Sequence, residues 1–261
     1  MNISMGMTIA RQLMILILSI LPVFTYSQSS QQPSLQQNYT FSYSIVEAKP
    51  QSIERLAAAR NEILSKATLN GAILYAIWVA ADKPTEAATT TASTTSIISP
   101  FAGLSENQMG LMFAWPNQQL QQSDAFNKFL QSIDSVTIVS RRMFEAIYLP
   151  AGLSVPTMQG FYVHREEEYK LENVDEAVRL SQEAWETWEP HWGVTVIGLF
   201  REIGITADFA NLNRIVWYPS YDAWLATRSN DDRESANRFR QRRSMLIPGS
   251  GVAIATDRIL P

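Results

Sequence analysis

The 261-residue chain contains no cysteine and only two histidines, His164 and His191. The first absence excludes disulfides, thiolate nucleophiles, thiolate metal sites and an acylated cysteine anchor. The second leaves no HExxH or HxH spacing, so a zinc or copper site would have to rest on carboxylates, and none is expected. Charge is also sparse, at 18% Asp, Glu, Lys and Arg, with a formal net charge of −4. A mildly acidic chain has no field to hold a phosphate backbone, and nucleic acid is excluded as a partner on that ground. No glycine-rich phosphate loop, P-loop or nucleophile elbow occurs, which removes the usual support for nucleotide-binding and hydrolase readings.

What the chain does have is apolar mass, with 46% hydrophobic residues and 7 Trp. That composition specifies a packed core rather than disorder. Its first stretch is a separate matter. Arg11 precedes an apolar run from Leu13 to Phe24, about a dozen residues where a bilayer-spanning helix needs roughly 20. Thr25 and Ser27 then stand as the small residues of a cleavage site, and residues 1–27 are expected to be a signal peptide. Export to the periplasm or outside the cell follows, with no stable membrane anchor after cleavage. Residues 28–39, rich in Gln and Ser, are expected to be a flexible leader.

From Thr40 onward one pattern occurs twice. Alternating Phe41 to Val46 predicts a strand, Pro50 opens a helix carrying Ile53, Leu56, Ile63 and Ala67, and Gly71 ends it. Ala72 to Ala80 and Met109 to Trp115 read as buried strands, Phe126, Phe129, Leu130 and Ile133 as a helix, and Ser135 to Leu149 as a closing strand. The second copy runs through a strand at Phe161 to His164 and a helix capped by Asn173 and ended by Gly193. Strands at Val194 to Phe200 and Leu212 to Trp217 follow, then one long Arg-rich helix from Tyr221, and a last strand at Gly251 to Ile259. Pro116 and Pro219 stop corresponding strands. The expected units are residues 40–150, with a long surface loop at 82–105, and residues 157–261.

A β-α-β-β-α-β unit forms a four-stranded antiparallel sheet with both helices on one face. The fold class expected is therefore α+β: two tandem ferredoxin-like units packed sheet to sheet as a pseudo-dimeric α/β barrel. The chain is expected to be a monomeric pseudo-dimer or a homodimer.

The second half resembles the NIPSNAP-like group of the dimeric α/β-barrel superfamily. The resemblance rests on Tyr162 and Arg165, the Asp175-Glu176-Ala177 helix start, Gly198-Leu-Phe-Arg-Glu202-Ile-Gly204, and Asn213 through Trp217-Tyr218 with Arg228 and Arg233 beyond. It spans about 100 residues. The sequence departs from the group's pattern at Ile215, where members often carry a histidine. The resemblance implies the fold. It implies no agreed reaction, although cousins in the superfamily include cofactor-independent monooxygenases and haem-binding enzymes.

The densest unusual cluster is Trp185, Trp188, His191 and Trp192 at helical spacing. An imidazole beside aromatic faces could bind a planar ligand, act as a base or ligate haem iron. His191 is the candidate catalytic residue, and Trp188, His191, Phe200, Arg201, Trp217 and Arg228 are the candidate ligand-binding set. Glu166 to Glu168 are expected to be a solvated edge where strand becomes loop, and Arg238, Arg240, Arg242 and Arg243 a charged helix end. Glu202 is expected to pair with Arg228. With no recognisable catalytic set and no required cofactor, the leading expectation is a protein that binds a small apolar molecule or another protein. The alternative is a cofactor-independent monooxygenase or a haem-binding enzyme.

Overall fold

The computed structural model describes residues 38–48, 53–81, 103–134, 136–154, 156–204, 208–229 and 232–259. The expected signal peptide, nearly all of the leader, Pro50 and most of the 82–105 loop lie outside the described residues. The first half contains β1 (Tyr39–Ala48), α1 (Ile53–Leu69), β2 (Ile73–Ala80), β3 (Gln108–Pro116), α2 (Leu120–Gln131) and β4 (Val136–Tyr148). The second contains β5 (Phe161–Lys170), α3 (Val174–Trp192), β6 (Thr195–Glu202), β7 (Phe209–Tyr218), α4 (Tyr221–Ala226), α5 (Arg233–Arg243) and β8 (Val252–Ile259).

All eight strands join in one closed antiparallel barrel, in the order β1-β3-β2-β8-β5-β7-β6-β4. Each half supplies four adjacent strands, and the halves meet along two seams. In one, β2 pairs β8 from Ile77–Ile259 to Ala80–Thr256; in the other, β4 pairs β6 from Phe144–Glu202 to Tyr148–Leu199. This is the α+β pseudo-dimeric barrel expected from the repeat. Closure leaves neither four-stranded sheet with a free edge.

Strand parity sorts side chains into two environments. Phe41, Tyr43, Trp78, Tyr162, Phe200 and Ile215 belong to one cluster that fills the barrel. Residues of the opposite parity face the helices. In the first half, Val46, Leu111, Phe113 and Trp115 pack with Ile63 of α1 and Phe126 of α2. In the second, Phe161, Val163, Leu212, Val216 and Tyr218 pack with Trp185 and Trp188 of α3. The duplication extends to irregularities. The register slips between Leu74 and Ala76 in β2 and between Val196 and Gly198 in β6, leaving Tyr75 and Ile197 as the extra residues. These two meet inside the barrel, where the Tyr75 hydroxyl donates to the Ile197 carbonyl at 3.1 Å.

Gly71 and Gly193 end α1 and α3 with φ of 78° and 61°, the left-handed conformation that favours glycine at a helix C-terminus. Three expectations need correction. Asn173 makes no side-chain cap to α3; it closes a 3-10 turn at Leu171–Asn173 that leads into the helix. The single Arg-rich helix is two helices, because it holds two N-caps: Ser220 accepts from Ala223 N, and Asp232 accepts from Glu234 N and Ser235 N. Finally, β5 continues through the glutamate run to Lys170, kept in the ladder by β7 pairing over its whole length.

Candidate ligand pocket

Between β5 and β7 on one side and α3, α4 and α5 on the other lies a cavity of about 340 Å³. Its position follows from parity. Arg165 of β5 and Arg214 and Tyr218 of β7 share the helix-facing side with apolar neighbours, but two of them are too polar to pack as those neighbours do. Trp188 enters from α3; Thr227 and Arg228 follow α4; Ala236, Phe239, Arg240, Arg242 and Arg243 come from α5. The aromatic wall is continuous, with the Trp188 ring 6.1 Å from Tyr218 and 5.7 Å from Phe239, both edge to face.

Among the described residues, six guanidinium groups line this space and no carboxylate does. Arg214 and Arg242 are buried, Arg165 is half-buried, and Arg228, Arg240 and Arg243 are exposed at the rim. Arg242 is neutralised by Glu167 at 3.1 Å, with both side chains 7% exposed. The Tyr169 hydroxyl donates to the same carboxylate at 3.1 Å, and Arg242 also donates to Ser181 Oγ at 3.3 Å. Burial alone would raise the Glu167 pKa, but Arg242, Arg214 and Arg165 together hold it below the usual carboxylate value. Arg214 has no carboxylate of its own among the described residues. Its guanidinium lies 6.0 Å from the Trp185 and Phe239 ring centres, and its Nε is buried without a partner. Burial, reinforced by Arg242, pushes its pKa down to about 9. It remains protonated at neutral pH.

The candidate residues named from sequence do not converge. Trp188 and Arg228 line the cavity. Phe200 sits inside the barrel, 5.1 Å from Phe41 ring to ring. Trp217 belongs to the same interior cluster, and its indole donates to the Gln159 carbonyl at 2.8 Å. Both have the wrong strand parity to reach a helix-side pocket. Arg201 faces outward and pairs with Glu145 at the β4–β6 seam. His191 is exposed, its ring edge-on to Trp192 at 4.7 Å, because the buried stripe of α3 stops at Trp188.

The ionic expectations also change. Glu202 pairs with Arg142 of β4 and not with Arg228, and Arg142 reaches Glu166 as well, at 2.6 Å. Both glutamates have barrel-facing parity, so a side chain from another strand of the barrel, Arg142 of β4, supplies their partner. Of the supposed solvated edge, Glu166 is ion-paired, Glu167 is buried, and only Glu168 is exposed. The other histidine, His164, is fully buried in the barrel. It stacks on Tyr43 at 5.7 Å, meets the Trp78 edge at 4.5 Å and shares a hydrogen bond with Thr256 Oγ1 at 3.0 Å. Arg165, Arg214, Phe239 and Arg242 went unrecognised as pocket residues. The available signal was charge on the apolar parity of two strands: Phe161, Val163, Arg165, Glu167 and Leu212, Arg214, Val216.

No group of three or more histidine, aspartate or glutamate side chains is arranged to hold a metal ion among the described residues. No family model and no curated protein matches the chain. Solved structures do. An anthrone oxidase-like protein superposes with a TM-score of 0.58 at 13% identity, over 85% of this chain and 92% of that one. A variant of chlorite dismutase from Candidatus Nitrospira defluvii gives 0.51 at 9% identity, over 85% and 91%. These similarities extend to the whole closed barrel of eight antiparallel strands and its helices. At such identities they concern the fold alone.

Proposed function

We propose that this chain is a ligand-binding protein of the dimeric α/β-barrel class, which takes a small organic molecule into the cavity between β5, β7 and α3 to α5. The observation that carries the reading is the difference between its two halves. Aligning β3 and β7 on Pro116 and Pro219 sets Trp115 against Tyr218 and Leu111 against Arg214. In the first half Trp115 and Phe126 fill the helix–sheet space at 5.6 Å, with Phe113 against Phe126 at 5.1 Å. The second half keeps that space open and lines it with aromatic and guanidinium groups, the makings of a small-molecule site.

The NIPSNAP-like resemblance of the second half agrees with a binding role and brings no reaction with it. Export with cleavage near Ser27 belongs to the same reading, and barrel closure within one chain supports a monomer. The residues present do not suit haem: among the described residues the lining has no imidazole, thiolate or thioether, and burial raises the pKa of the Tyr218 phenol. A monooxygenase without a cofactor needs a base to activate its substrate, and guanidinium groups do not serve as one.

Native mass spectrometry of the full chain isolated from its own compartment tests the reading. A small-molecule adduct released on denaturation, and weakened by Trp188→Ala, is expected. A Soret band in the isolated protein, or substrate-dependent oxygen uptake, would replace this reading with the enzymatic one.

A further inference from the structure

We propose that the ligand is a multiply charged organic oxyanion, an aromatic or similarly flat molecule bearing phosphate or carboxylate groups, with Arg214 and Arg165 as its principal anchors. This deepens the binding function proposed above and rests on it.

Three observations carry the inference. First, among the described residues the lining carries an excess of positive charge: six arginines surround the cavity, and Glu167 beside them is committed to Arg242. Guanidinium groups present paired N–H donors that match the two oxygens of a carboxylate or phosphate. Second, Arg214 is 9% exposed, lines the cavity, and has a buried Nε with no acceptor. A buried cation without an ion partner is costly, and an anion entering the cavity would supply the missing one. Its charged neighbours are the like charges Arg242 and Arg165 against the single opposite charge of Glu167.

Third, the fold does not require these charges. Arg165 pairs with Arg214 across the β5–β7 ladder, while Ser44 pairs with Leu111 at the corresponding place between β1 and β3. The same architecture is built in the first half with a serine and a fully buried leucine. The aromatic contribution comes from Trp188, Tyr218 and Phe239; the last two rings stand at 83° and 87° to the first, and they offer aromatic faces beside the arginines on which a planar body can stack.

Titration calorimetry of the full chain at low ionic strength, with phenyl phosphate, phthalate and neutral phthalamide as probes, separates the possibilities. At least one of the two anions should bind, more weakly as sodium chloride is added, and phthalamide should not. Which anion binds better distinguishes a phosphate ligand from a carboxylate one. Arg214→Leu, which installs the first-half residue, and Arg165→Gln should each weaken anion binding about tenfold or more, as loss of a charge-assisted hydrogen bond does. Two variants guard against one failing to fold. Phthalamide binding as tightly as phthalate would overturn the oxyanion inference and leave the binding reading intact. Neither anion binding, or anions binding undiminished to both folded variants, would also overturn it. The adduct seen by native mass spectrometry decides separately whether the binding reading survives.

Discussion

Arg165 and Arg214 stand directly opposite each other in the β5–β7 ladder, two cations on the helix-facing side of one sheet. Like charges in this relationship oppose pairing. In the ligand-free protein, Arg165→Gln should therefore raise stability by roughly 0.2–1 kcal/mol, the usual scale of a cross-strand pair. Urea denaturation measures this, and the gain should shrink in high salt. A loss of stability would show that the pair is offset by contacts in the empty cavity.

Removing the opposing charge should have the reverse effect. Glu167→Gln removes the negative charge opposite buried Arg242 and leaves one acceptor oxygen where Arg242 and the Tyr169 hydroxyl each had their own at 3.1 Å, and breaking such a pair costs about 3–5 kcal/mol. The wild-type contribution follows pH. Because the folded pKa lies below the ordinary 4.5, the stabilisation is complete above 4.5 and is lost as pH falls through the lower, folded value. Melting curves of both proteins should accordingly converge in strong acid.

His164 gives a second acid response in a higher window. Burial pushes its pKa down to about 3 from an ordinary 6.5. The unfolded chain therefore binds the proton more readily, and stability declines as pH drops from 6.5 toward 3. His164→Phe keeps a ring between Tyr43 and Trp78 and removes the titration. Between pH 6.5 and 5, above the window of the Glu167 response, its melting temperature should fall less steeply than the wild type's, and equal slopes would exclude His164 as the cause.

Trp188 and His191, three residues apart on α3, should behave oppositely. Trp188 is 7% exposed and walls the cavity, so Trp188→Ala should cost roughly 3–5 kcal/mol and weaken ligand binding. His191 is exposed, and His191→Ala should change stability by less than about 0.5 kcal/mol with ligand binding intact. Thermal denaturation with and without the native ligand checks both.

The repeat, the order of elements along the chain and the terminating Gly71, Gly193, Pro116 and Pro219 were legible because each is written in local periodicity or backbone chemistry. Trp188 and Arg228, which line the cavity, stood out in the sequence for a similar reason, being bulky or charged groups on a helix face or just beyond a helix. Phe200 and Trp217 were misassigned because the slip at Ile197 and the long pairing of β5 with β7 decide which parity faces the helices. Glu202 found Arg142 rather than Arg228 because the β4–β6 seam joins distant segments, a relationship that spacing does not encode. The acidic run of β5 looked solvated because its partners, Arg142 and Arg242, lie in other elements. His191 continued a helical stripe whose cover ended one turn earlier.

Containing both halves of the barrel in one chain has an evolutionary consequence. A symmetric homodimer carries every substitution twice, so a residue that opens one cleft opens its twin. Here the two copies are free to mutate apart. Leu111 and Trp115 can serve packing in one half while Arg214 and Tyr218 serve recognition in the other, with the stability of the filled half helping to sustain a neighbour that holds buried positive charge.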